Sequence, residues 1–249
     1  MNGSAACKPT GFVSVIIPCL DEEAAIGAVV TAARAACVGA IIVVDGGSRD
    51  ATAARAEAAG ARVVVEPRRG YGRAMQAGIA ALDPRTGIVV FIDGDGSDRP
   101  EMIAAVIAPL LTGDADFVLG SRLSGPREPG SLSPTQIVAG HVAGFLIHAV
   151  YGVRCTDMSP FRALRRDTLG RLGMREATYG WNLEMQMRAA AGGLRCVEVP
   201  VGQRRRQGGV SKVSDNPLVA VRVAFVLAQT FVRLALTLRR ERRAHATRR

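Results

Sequence analysis

Residues 88–98, with the sequence IVVFIDGDGSD, constrain the fold of this chain more than any other stretch. The first five residues are apolar, and they predict a short, fully buried strand of a parallel sheet. Asp93 and Asp95 follow at the carboxyl end of that strand, where open α/β sheets bind their ligands. Two carboxylates this close are costly to bury without a partner, and Mg²⁺ typically takes one or two carboxylates plus phosphate oxygens. An isolated DGD is more typical of an acidic surface turn, but the preceding buried strand favours a metal and phosphate site.

Strands and helices alternate along most of the chain. The sequence predicts strands over residues 13–18, 40–45, 61–67, 88–92, 116–120, 155–164 and 194–201. It predicts helices over residues 20–36, with acidic residues in the first turn, and over 70–82, 100–111, 135–151, 180–191 and 218–238, together with an alanine-rich helix after residue 50. This spacing is typical of βαβ units, so the predicted fold class is α/β, with a mostly parallel central sheet flanked by helices.

Composition excludes a disordered chain and indicates an anionic partner. Of the 249 residues, 48% are hydrophobic and 22% are charged, which is typical of a globular protein with a full core. The net charge is +10, and residues 239–249 hold six arginines against one glutamate, so half of the excess lies in that stretch. This concentration favours a membrane or a nucleic acid as partner rather than a basic fold throughout.

The cysteines and the first residues are typical of a cytosolic protein. The five cysteines include no CxxC pair and are odd in number, so buried reduced thiols are favoured over zinc sites or disulfides. Residues 1–11 have no apolar core and do not resemble a signal peptide, and we expect a disordered tail there.

Pro217 begins a final helix whose length alone would permit a membrane span. Arg222, Gln229, Arg233 and Arg240 are separated by seven, four and seven residues, so at 100° per residue they lie within about 20° of one line. One polar stripe on an apolar helix with a basic end is typical of a helix at a membrane interface, or of one packed on the protein or on a second subunit. Spanning is the least favoured alternative, since two arginines would cost roughly 5–7 kcal/mol.

Residues 121–134, SRLSGPREPGSLSP, are rich in turn formers and predict a long loop of the kind that often serves as a lid or a binding loop. The nearly uncharged helix after it carries His141 and His148, which lie seven residues apart on one face. We expect both histidines to be packing residues rather than catalytic ones.

Several motifs, taken in order, resemble those of one enzyme family. They are VSVIIPCLDEE, IIVVDGGSRDAT, the glycine-opened helix at residues 70–82, FIDGDGSD and LGSR. Together they resemble the family 2 glycosyltransferases, which have the nucleotide-sugar-binding GT-A fold. The later SPFRALRR, GWNLEMQ and RRQGGVSK narrow the resemblance to the branch of dolichol-phosphate mannose synthase and its bacterial polyprenyl-phosphate relatives. The resemblance implies a GT-A catalytic domain over residues 12–214, after the 1–11 tail, and a basic amphipathic helix and tail over 215–249.

The resemblance implies a donor site at the carboxyl ends of the strands. Asp93 and Asp95 match the motif that carries Mg²⁺ or Mn²⁺ and the donor diphosphate, where the ion offsets charge on the leaving nucleoside diphosphate. Asp45 matches the aspartate that reads the base, but Gly46 stands where the family usually has a second aspartate, so the base stays open. The other donor-binding candidates are Pro18, Leu20 and Glu22 of the first-strand motif, Gly72 at a helix start whose N–H groups can face a phosphate, and Arg206 and Lys212 of the basic loop.

Arg122, in GSR, matches the arginine that contacts the acceptor phosphate in the polyprenyl-phosphate branch, and a planar guanidinium suits a phosphate. A salt bridge with a nearby carboxylate is the alternative. Residues 204–206 and Lys212 match a basic loop that closes over the diphosphate or the acceptor phosphate, although we expect at least one of these side chains to be only a solvated charge. Asp98 either assists the metal site or caps the next helix, and we favour the cap.

The chain lacks a general base where many relatives carry one. Around residue 180, family 2 enzymes that glycosylate hydroxyls often have Glu-Asp, whereas this chain has Gly-Trp-Asn, with Glu184 one turn inside the helix. A hydroxyl nucleophile needs a base to take its proton, but a phosphate monoester is already anionic. Glu184 is either a base or a structural partner of a loop arginine, and both roles stay open. The catalytic candidates are therefore Asp95, Arg122 and Glu184.

The leading hypothesis is an inverting glycosyltransferase that moves a hexose from a UDP- or GDP-linked donor to a polyprenyl phosphate, with Mg²⁺ or Mn²⁺ as cofactor. We expect it on the inner face of the cytoplasmic membrane, docked on anionic lipid by the helix at residues 135–151 and by the basic C-terminal helix, which is also a candidate for homo-oligomerisation. A second hypothesis keeps the fold and the donor but uses a soluble acceptor, such as a phosphorylated metabolite or a glycan. A third is a nucleic-acid-binding protein without enzymatic activity; no aromatic platform accompanies the basic run, so we expect no nucleic-acid partner.

Overall fold

The computed structural model describes residues 12–36, 38–207 and 217–246, with side chains from residue 225 to 241 in the last helix. The strands are β1 (Phe12–Cys19), β2 (Ala40–Asp45), β3 (Arg62–Val65), β4 (Thr86–Phe91), β5 (Phe117–Ser121), β6 (Arg162–Arg165) and β7 (Cys196–Pro200). The helices are α1 (Ile26–Ala35), α2 (Thr52–Ala58), α3 (Tyr71–Ala80), α4 (Ile103–Leu111), α5 (Pro134–Tyr151), α6 (Arg166–Leu172), α7 (Trp181–Ala191) and α8 (Pro217–Ala246), with a short 3₁₀ helix at Pro100–Met102. The tail predicted at residues 1–11 and the donor-binding candidate Lys212 lie outside the described residues.

The strands form one sheet in the order β3-β2-β1-β4-β6-β5-β7. β1 lies between β2 and β4, and both of these pairings are parallel. β3 pairs in parallel with β2, and β7 pairs in parallel with β5. β6 runs antiparallel to both of its neighbours, β4 and β5. The prediction of an α/β fold with a mostly parallel central sheet is therefore confirmed.

Both faces of the sheet are buried, which explains the continuous apolar runs in β1, β2 and β4. On one face, Val15, Ile17 and Val90 belong to a core shared with α1, α2 and α4. On the other face, Ile16 and Phe91 belong to a core shared with α3, α6 and α7. Burial of one such side chain contributes about 1.5–3 kcal/mol, so the two cores hold the strand ends in fixed positions.

Helix α1 begins at Ile26, later than predicted, and its first turn carries no acidic residue, so that prediction is wrong. The acidic residues before the helix hold the turn between β2 and α2 instead. The Arg49 amide donates to Asp21 Oδ1 at 2.9 Å, and the Ala51 amide donates to Glu23 Oε2 at 3.1 Å. Asp21 has a φ of 53°, which an α-helix does not allow. Tertiary hydrogen bonds of the carboxylates, rather than local periodicity, therefore decide where α1 starts.

The strand predicted over residues 155–164 is shorter in the structure, because only Arg162–Arg165 belongs to the ladders. The residues before it form a loop in which the Asp157 carboxylate pairs with the Arg122 guanidinium. Helix α6 begins at Arg166, directly after the strand, and buries Leu169 and Leu172.

Helix α8 packs against α7. Leu234 and Leu238 are each 5% exposed and join a cluster with residues of α5 and α7. Arg233 also forms an ion pair with Glu176, in the connection before α7. Among the alternatives for this helix, packing on the protein is the one that the described side chains show. Within the described ranges, no helix has the length and apolar character that crossing a membrane requires.

Helices α5 and α8 each keep apolar side chains exposed. The large ones are Val138, Val142 and Phe145 on α5, and Phe225, Val232 and Leu236 on α8. His141 and His148 are exposed as well, so the prediction that they pack is wrong. Because α5 is apolar on nearly all sides, its sequence does not indicate which face is buried. The buried face carries Gly140, Ala143, Gly144 and Ile147.

Candidate active site

The carboxyl ends of β1, β2 and β4 bring the predicted donor-site residues to one edge of the sheet. The parallel register places the end of β1 beside Asp45, the last residue of β2. Asp93 and Asp95 follow β4, the other neighbour of β1. Pro18, near the end of β1, and Leu20, just after it, therefore lie between Asp45 and the two aspartates, at the edge where such sheets bind ligands.

Asp93 is held from two sides. Its Oδ1 accepts a hydrogen bond from the Tyr71 hydroxyl at 3.1 Å, and its amide donates to Asp98 Oδ2 at 2.8 Å. Desolvation, followed by the charges of Asp98 and Asp95, raises the pKa of Asp93 well above its usual range. Three carboxylates thus crowd one edge of the sheet, an arrangement that a cation would stabilise.

Asp98 does not cap the following helix, so the favoured prediction for this residue is wrong. The residue before the 3₁₀ helix is Arg99, and no side chain caps that start. Asp98 is 1% exposed because it turns back to receive the Asp93 amide, and its Oδ1 has no hydrogen-bond partner among the described residues. Desolvation raises the pKa of Asp98 to about 7, and the Asp95 charge acts in the same direction. Its position fits the other alternative, in which it assists the metal motif.

Asp95 faces a basic segment of the chain. Its Oδ1 accepts from the amide and the hydroxyl of Ser97 at 2.9 and 2.6 Å, and its Oδ2 lies 3.3 Å from Arg206 Nη1. The backbone of the segment runs beside the motif, because the Gln207 amide donates to the Asp95 carbonyl and the Arg204 amide to the Ser97 carbonyl, each at 2.9 Å. The described part of the predicted basic loop therefore lies directly against the metal motif.

The three arginines of this segment have different partners. Arg206 forms an ion pair with Glu22 in addition to Asp95, so it joins the first-strand motif to the metal motif. Arg204 pairs with Glu101, and Arg205 contacts the long loop after β5. Among these three, only Arg206 makes a described side-chain contact with the predicted donor site.

The Asp45 carboxylate accepts hydrogen bonds from the turn that directly follows β2. It accepts from the amides of Gly47 and Ser48 at 3.2 Å and from the Ser48 hydroxyl. Gly46, where the resembling family usually has an aspartate, is tightly packed: a Cβ there would lie 3.2 Å from the Cys19 carbonyl oxygen. A larger residue would require this turn to shift. The base-reading role of Asp45 stays a prediction.

Arg122 forms a two-pronged ion pair with Asp157. Its Nε lies 2.8 Å from Oδ2 and its Nη2 2.6 Å from Oδ1, and its amide donates to Oδ2 at 3.0 Å. Burial alone would raise the pKa of Asp157, but the hydrogen bonds and charge of Arg122 outweigh it and hold the pKa below its usual value. The structure therefore shows the salt-bridge alternative, and the pair fixes the direction in which the guanidinium points. Contact with an acceptor phosphate stays a prediction.

Glu184 is 1% exposed, and described hydrogen bonds reach both of its carboxylate oxygens. Oε1 pairs with Arg188 Nε at 2.8 Å, one turn along α7. Oε2 accepts from the amides of Arg175 and Glu176 at 3.0 and 2.6 Å. Its arginine partner lies on its own helix rather than in a loop. These contacts favour the structural role, and the role as a base stays a prediction.

Gly72 lies against the connection before α7. A Cβ at this position would lie 2.1 Å from the Glu176 carbonyl oxygen, and the amide of the next residue, Arg73, donates to the Ala177 carbonyl at 3.1 Å. Close packing against this backbone therefore requires glycine at position 72, while its donor-binding role stays a prediction. No sequence pattern indicates a role for Tyr71 beside it, because a tyrosine in the first turn of an amphipathic helix is most often a core residue.

The residues at this edge fit a divalent cation. Asp93 and Asp95 supply hard carboxylate oxygens, which Mg²⁺ and Mn²⁺ prefer, and the buried Asp98 Oδ1 beside them has no hydrogen-bond partner among the described residues. Across the described ranges, no group of three or more acidic, histidine or cysteine side chains is arranged to hold a metal ion. Two carboxylates would therefore be the contribution of the protein, and Mg²⁺ commonly completes such a shell with phosphate oxygens and water.

Comparison with known proteins identifies the family. A profile of the family described as Glycosyl transferase family 2 matches residues 14–173. The chain belongs to this family. It is therefore a glycosyltransferase, and its sheet and helices form the GT-A fold.

This family 2 glycosyltransferase is 40% identical over 206 residues to an uncharacterized glycosyltransferase of Mycobacterium tuberculosis, across 82% of this chain and 90% of the relative. It is 31% identical over 228 residues to the polyprenol monophosphomannose synthase of Mycolicibacterium smegmatis, across 85% of this chain and 84% of that one. The crystal structure of glucosyl-3-phosphoglycerate synthase from Mycobacterium tuberculosis in complex with Mn²⁺, UDP and phosphoglyceric acid matches with a TM-score of 0.70 and 26% identity, across 91% of this chain and 79% of that one. The predicted resemblance to family 2 and to its polyprenyl-phosphate branch is confirmed.

Proposed function

We propose that this glycosyltransferase transfers a hexose from a nucleoside-diphosphate sugar to a polyprenyl phosphate, with Mg²⁺ or Mn²⁺ at Asp93 and Asp95 and with inversion at the anomeric carbon. The observation that carries the proposal is that α5, whose outer face is apolar and exposed, packs directly on the Arg122–Asp157 pair. A Cβ at Gly140 of α5 would lie 3.5 Å from Asp157 Oδ1. A fixed guanidinium beside an apolar surface suits an acceptor with a phosphate head and a hydrocarbon tail.

The donor half of the proposal rests on the strand ends. A divalent ion at Asp93 and Asp95 would supply Lewis-acid stabilisation of the leaving nucleoside diphosphate. Arg206, held by Glu22 and Asp95, is placed beside the same edge and would neutralise part of the diphosphate charge. The Mn²⁺ and UDP in the structurally similar glucosyl-3-phosphoglycerate synthase support a donor of this class. UDP-linked and GDP-linked sugars both stay open.

The acceptor half rests on Arg122 and on the state of Glu184. Asp157 orients the Arg122 guanidinium, so the arginine can receive a phosphate without first ordering its side chain. A phosphate monoester carries its own negative charge and attacks without a general base. A reaction without a general base agrees with the contacts of Glu184, because both of its carboxylate oxygens already accept hydrogen bonds from other protein groups.

The proposed contact with a lipid membrane rests on the exposed apolar faces of α5 and α8. Phe145 on α5 is 70% exposed and Phe225 on α8 is 62% exposed, which is unusual for side chains of this size on a soluble surface. Arg239 and Arg240 are exposed near the end of α8 and would favour anionic headgroups. We place the enzyme peripherally on the inner face of the cytoplasmic membrane, with residues 12–214 as the catalytic domain and residues 215–249 as a basic helix and tail. The name of the polyprenol monophosphomannose synthase at 31% identity supports this acceptor class.

A soluble phosphorylated acceptor is the second candidate. The structural match to glucosyl-3-phosphoglycerate synthase, whose crystals contain phosphoglyceric acid, favours it. An arginine held by an aspartate would suit that phosphate equally well, but the exposed face of α5 would then have no role in the reaction. The third hypothesis, a nucleic-acid-binding protein without enzymatic activity, is wrong because the chain is a glycosyltransferase.

A radiolabel transfer assay tests the proposal. Purified protein, Mn²⁺ or Mg²⁺ and a panel of labelled UDP- and GDP-sugars are incubated with undecaprenyl phosphate in detergent, with 3-phosphoglycerate, or with no acceptor. Label in the lipid extract with wild type, and not with Asp95→Asn, is the expected result. Label transferred only to the water-soluble acceptor would overturn the lipid acceptor and leave the donor half intact.

A further inference from the structure

The start of α3 connects the metal motif to the far side of the site. Tyr71 is the first residue of α3, and its hydroxyl donates to Asp93 Oδ1 at 3.1 Å. Asp95 has no described contact of this kind with α3; its oxygens face Ser97 and Arg206. Tyr71 is therefore the described side chain that fixes the Asp93 carboxylate from outside the motif.

The backbone around Tyr71 is seated by close contacts. A Cβ at Gly70 would lie 2.3 Å from the Ala177 carbonyl oxygen, and a Cβ at Gly72 would lie 2.1 Å from the Glu176 carbonyl oxygen. Gly70 also has a φ of 143°, which favours glycine. Both glycines flanking Tyr71 are thus required by the same backbone neighbour, and the Arg73 amide adds a hydrogen bond to the Ala177 carbonyl at 3.1 Å.

That neighbouring backbone is itself held by Glu184. The Arg175 and Glu176 amides donate to Glu184 Oε2, and Arg188 holds the other oxygen of the same carboxylate. The connection before α7 is therefore a fixed surface rather than a loop free to follow α3. The first turn of α3, from which Tyr71 contacts Asp93, is therefore held in place by this backbone.

The Tyr71 hydroxyl acts as the hydrogen-bond donor in its contact with Asp93 Oδ1. A protonated hydroxyl can only donate to an ionised carboxylate, so the contact orders the Asp93 side chain without competing for a cation. Side chains that orient metal-binding groups in this way commonly change metal affinity ten- to a hundred-fold when they are removed, in order-of-magnitude terms.

We propose that Tyr71 is a positioning residue of the transfer reaction: seated by Gly70 and Gly72 against the connection before α7, it orients the Asp93 carboxylate toward the divalent ion and the donor diphosphate. The inference rests on the proposed function, since it concerns the same metal site. It also gives the glycines at the start of α3 a role that acts through Tyr71, in place of direct contact between their N–H groups and a phosphate.

Metal binding, measured without turnover, tests the proposal. Mn²⁺ binding to the full chain is followed by electron paramagnetic resonance in the presence of UDP or GDP, for wild type, Tyr71→Phe and Tyr179→Phe. Tyr179 is the matched control, because it is 50% exposed and no described contact joins it to the metal motif. We expect Tyr71→Phe to raise the Mn²⁺ dissociation constant about ten-fold and Tyr179→Phe to leave it unchanged. Thermal unfolding of each variant sets a temperature at which all three proteins are folded.

The outcomes separate the two proposals. Equal Mn²⁺ affinity for wild type and Tyr71→Phe, with both folded, would overturn the role of Tyr71 and leave the metal site intact. A weaker affinity in Tyr71→Phe that Tyr179→Phe shares would also overturn it, since the effect would not belong to Asp93. If wild type binds no Mn²⁺ with either nucleotide, the metal site of the proposed function fails together with this inference.

Discussion

Arg206 Nη1 lies 3.3 Å from Asp95 Oδ2, and the same guanidinium forms an ion pair with Glu22. Arg206 thus lies beside Asp95 Oδ2, whereas the hydrogen bonds from Ser97 go to the other carboxylate oxygen, Oδ1. The pair is only partly shielded, with Arg206 22% and Asp95 16% exposed, so a stronger cation can compete for the carboxylate. The arginine and the metal ion are therefore alternative neutralising charges for Asp95.

Replacing Arg206 with glutamine should change metal binding and donor binding in opposite directions. An ion pair of this kind is worth about 1 kcal/mol, so Arg206→Gln should bind Mn²⁺ alone about five-fold more tightly. The KM for the nucleotide sugar should rise, because the diphosphate loses a cationic partner. Titration of Mn²⁺ without nucleotide and steady-state kinetics measure the two effects. Arg204→Gln, which breaks a pair with Glu101 outside the site, is the matched control, and identical changes in both variants would refute the competition.

Asp157→Asn should destabilise the protein in a pH-dependent way. The change leaves Arg122, 12% exposed, without its carboxylate, which should cost about 3 kcal/mol of the free energy of unfolding at neutral pH. Since Arg122 lowers the pKa of Asp157 in the folded state, this contribution is present above the unfolded pKa of about 4 and is lost as pH falls through the folded value. Denaturant unfolding should therefore show a constant gap between wild type and variant from about pH 7 to about pH 5, and a shrinking gap below about pH 4.

Asp167→Asn is the control for that series. Its ion pair with Arg171 is 66% exposed on both sides, so the substitution should change the free energy of unfolding by less than about 1 kcal/mol. A gap between wild type and Asp157→Asn that already narrows between about pH 7 and pH 5 would contradict the assignment.

Glu184→Gln distinguishes the two roles left open for this carboxylate. If Glu184 is structural, the variant should unfold at a lower temperature because Arg188 loses its buried partner, and the pH profile of kcat should keep its shape. If it is a general base, kcat should fall about a hundred-fold or more while the unfolding temperature stays the same. Glu57→Gln, at an exposed position of α2, controls for the loss of one charge. We expect the structural outcome.

The apolar face of α5 should control binding to lipid. Phe145→Asp places a charge where the proposal needs an apolar contact, and burial of such a ring is worth about 1.5–3 kcal/mol, so partition onto phosphatidylglycerol vesicles should fall about ten-fold or more. Val65→Asp is the matched control, since Val65 is 63% exposed on the edge strand β3. Co-sedimentation measures the partition, and equal binding by both variants would remove α5 from the docking surface.

The sequence predicts the sheet well, because both of its faces are buried. Continuous apolar runs in β1, β2 and β4 carry a strong local signal, and the bounds of β2 agree with the prediction at both ends. The antiparallel direction of β6 carried no such signal, since strand periodicity is the same in both directions. The sequence pattern predicts the start of helix α1 too early, because the carboxylates before the helix accept hydrogen bonds from a turn that is distant in the sequence.

The site was predictable as a set of residue types but not as a set of contacts. Asp93 and Asp95 follow from a strand that ends in carboxylates, and their place at the sheet edge follows from the fold. The burial of Asp98 and the partner of Arg122 depend on how the loops after β4 and β5 fold back, which no local pattern encodes. The contact of Tyr71 with Asp93 has no local signal for the same reason: the hydroxyl is placed by a backbone contact between α3 and the connection before α7.

The most direct test of the central claim is a competition between the two acceptor classes. Wild type, Mn²⁺ and the preferred labelled nucleotide sugar are incubated with undecaprenyl phosphate and 3-phosphoglycerate at equal concentration, and the label is divided between organic and aqueous phases. We predict that most of the label enters the organic phase, that Asp95→Asn abolishes transfer, and that Phe145→Asp reduces transfer only to the lipid. Label that stays in the aqueous phase as glycosylated phosphoglycerate would contradict the account.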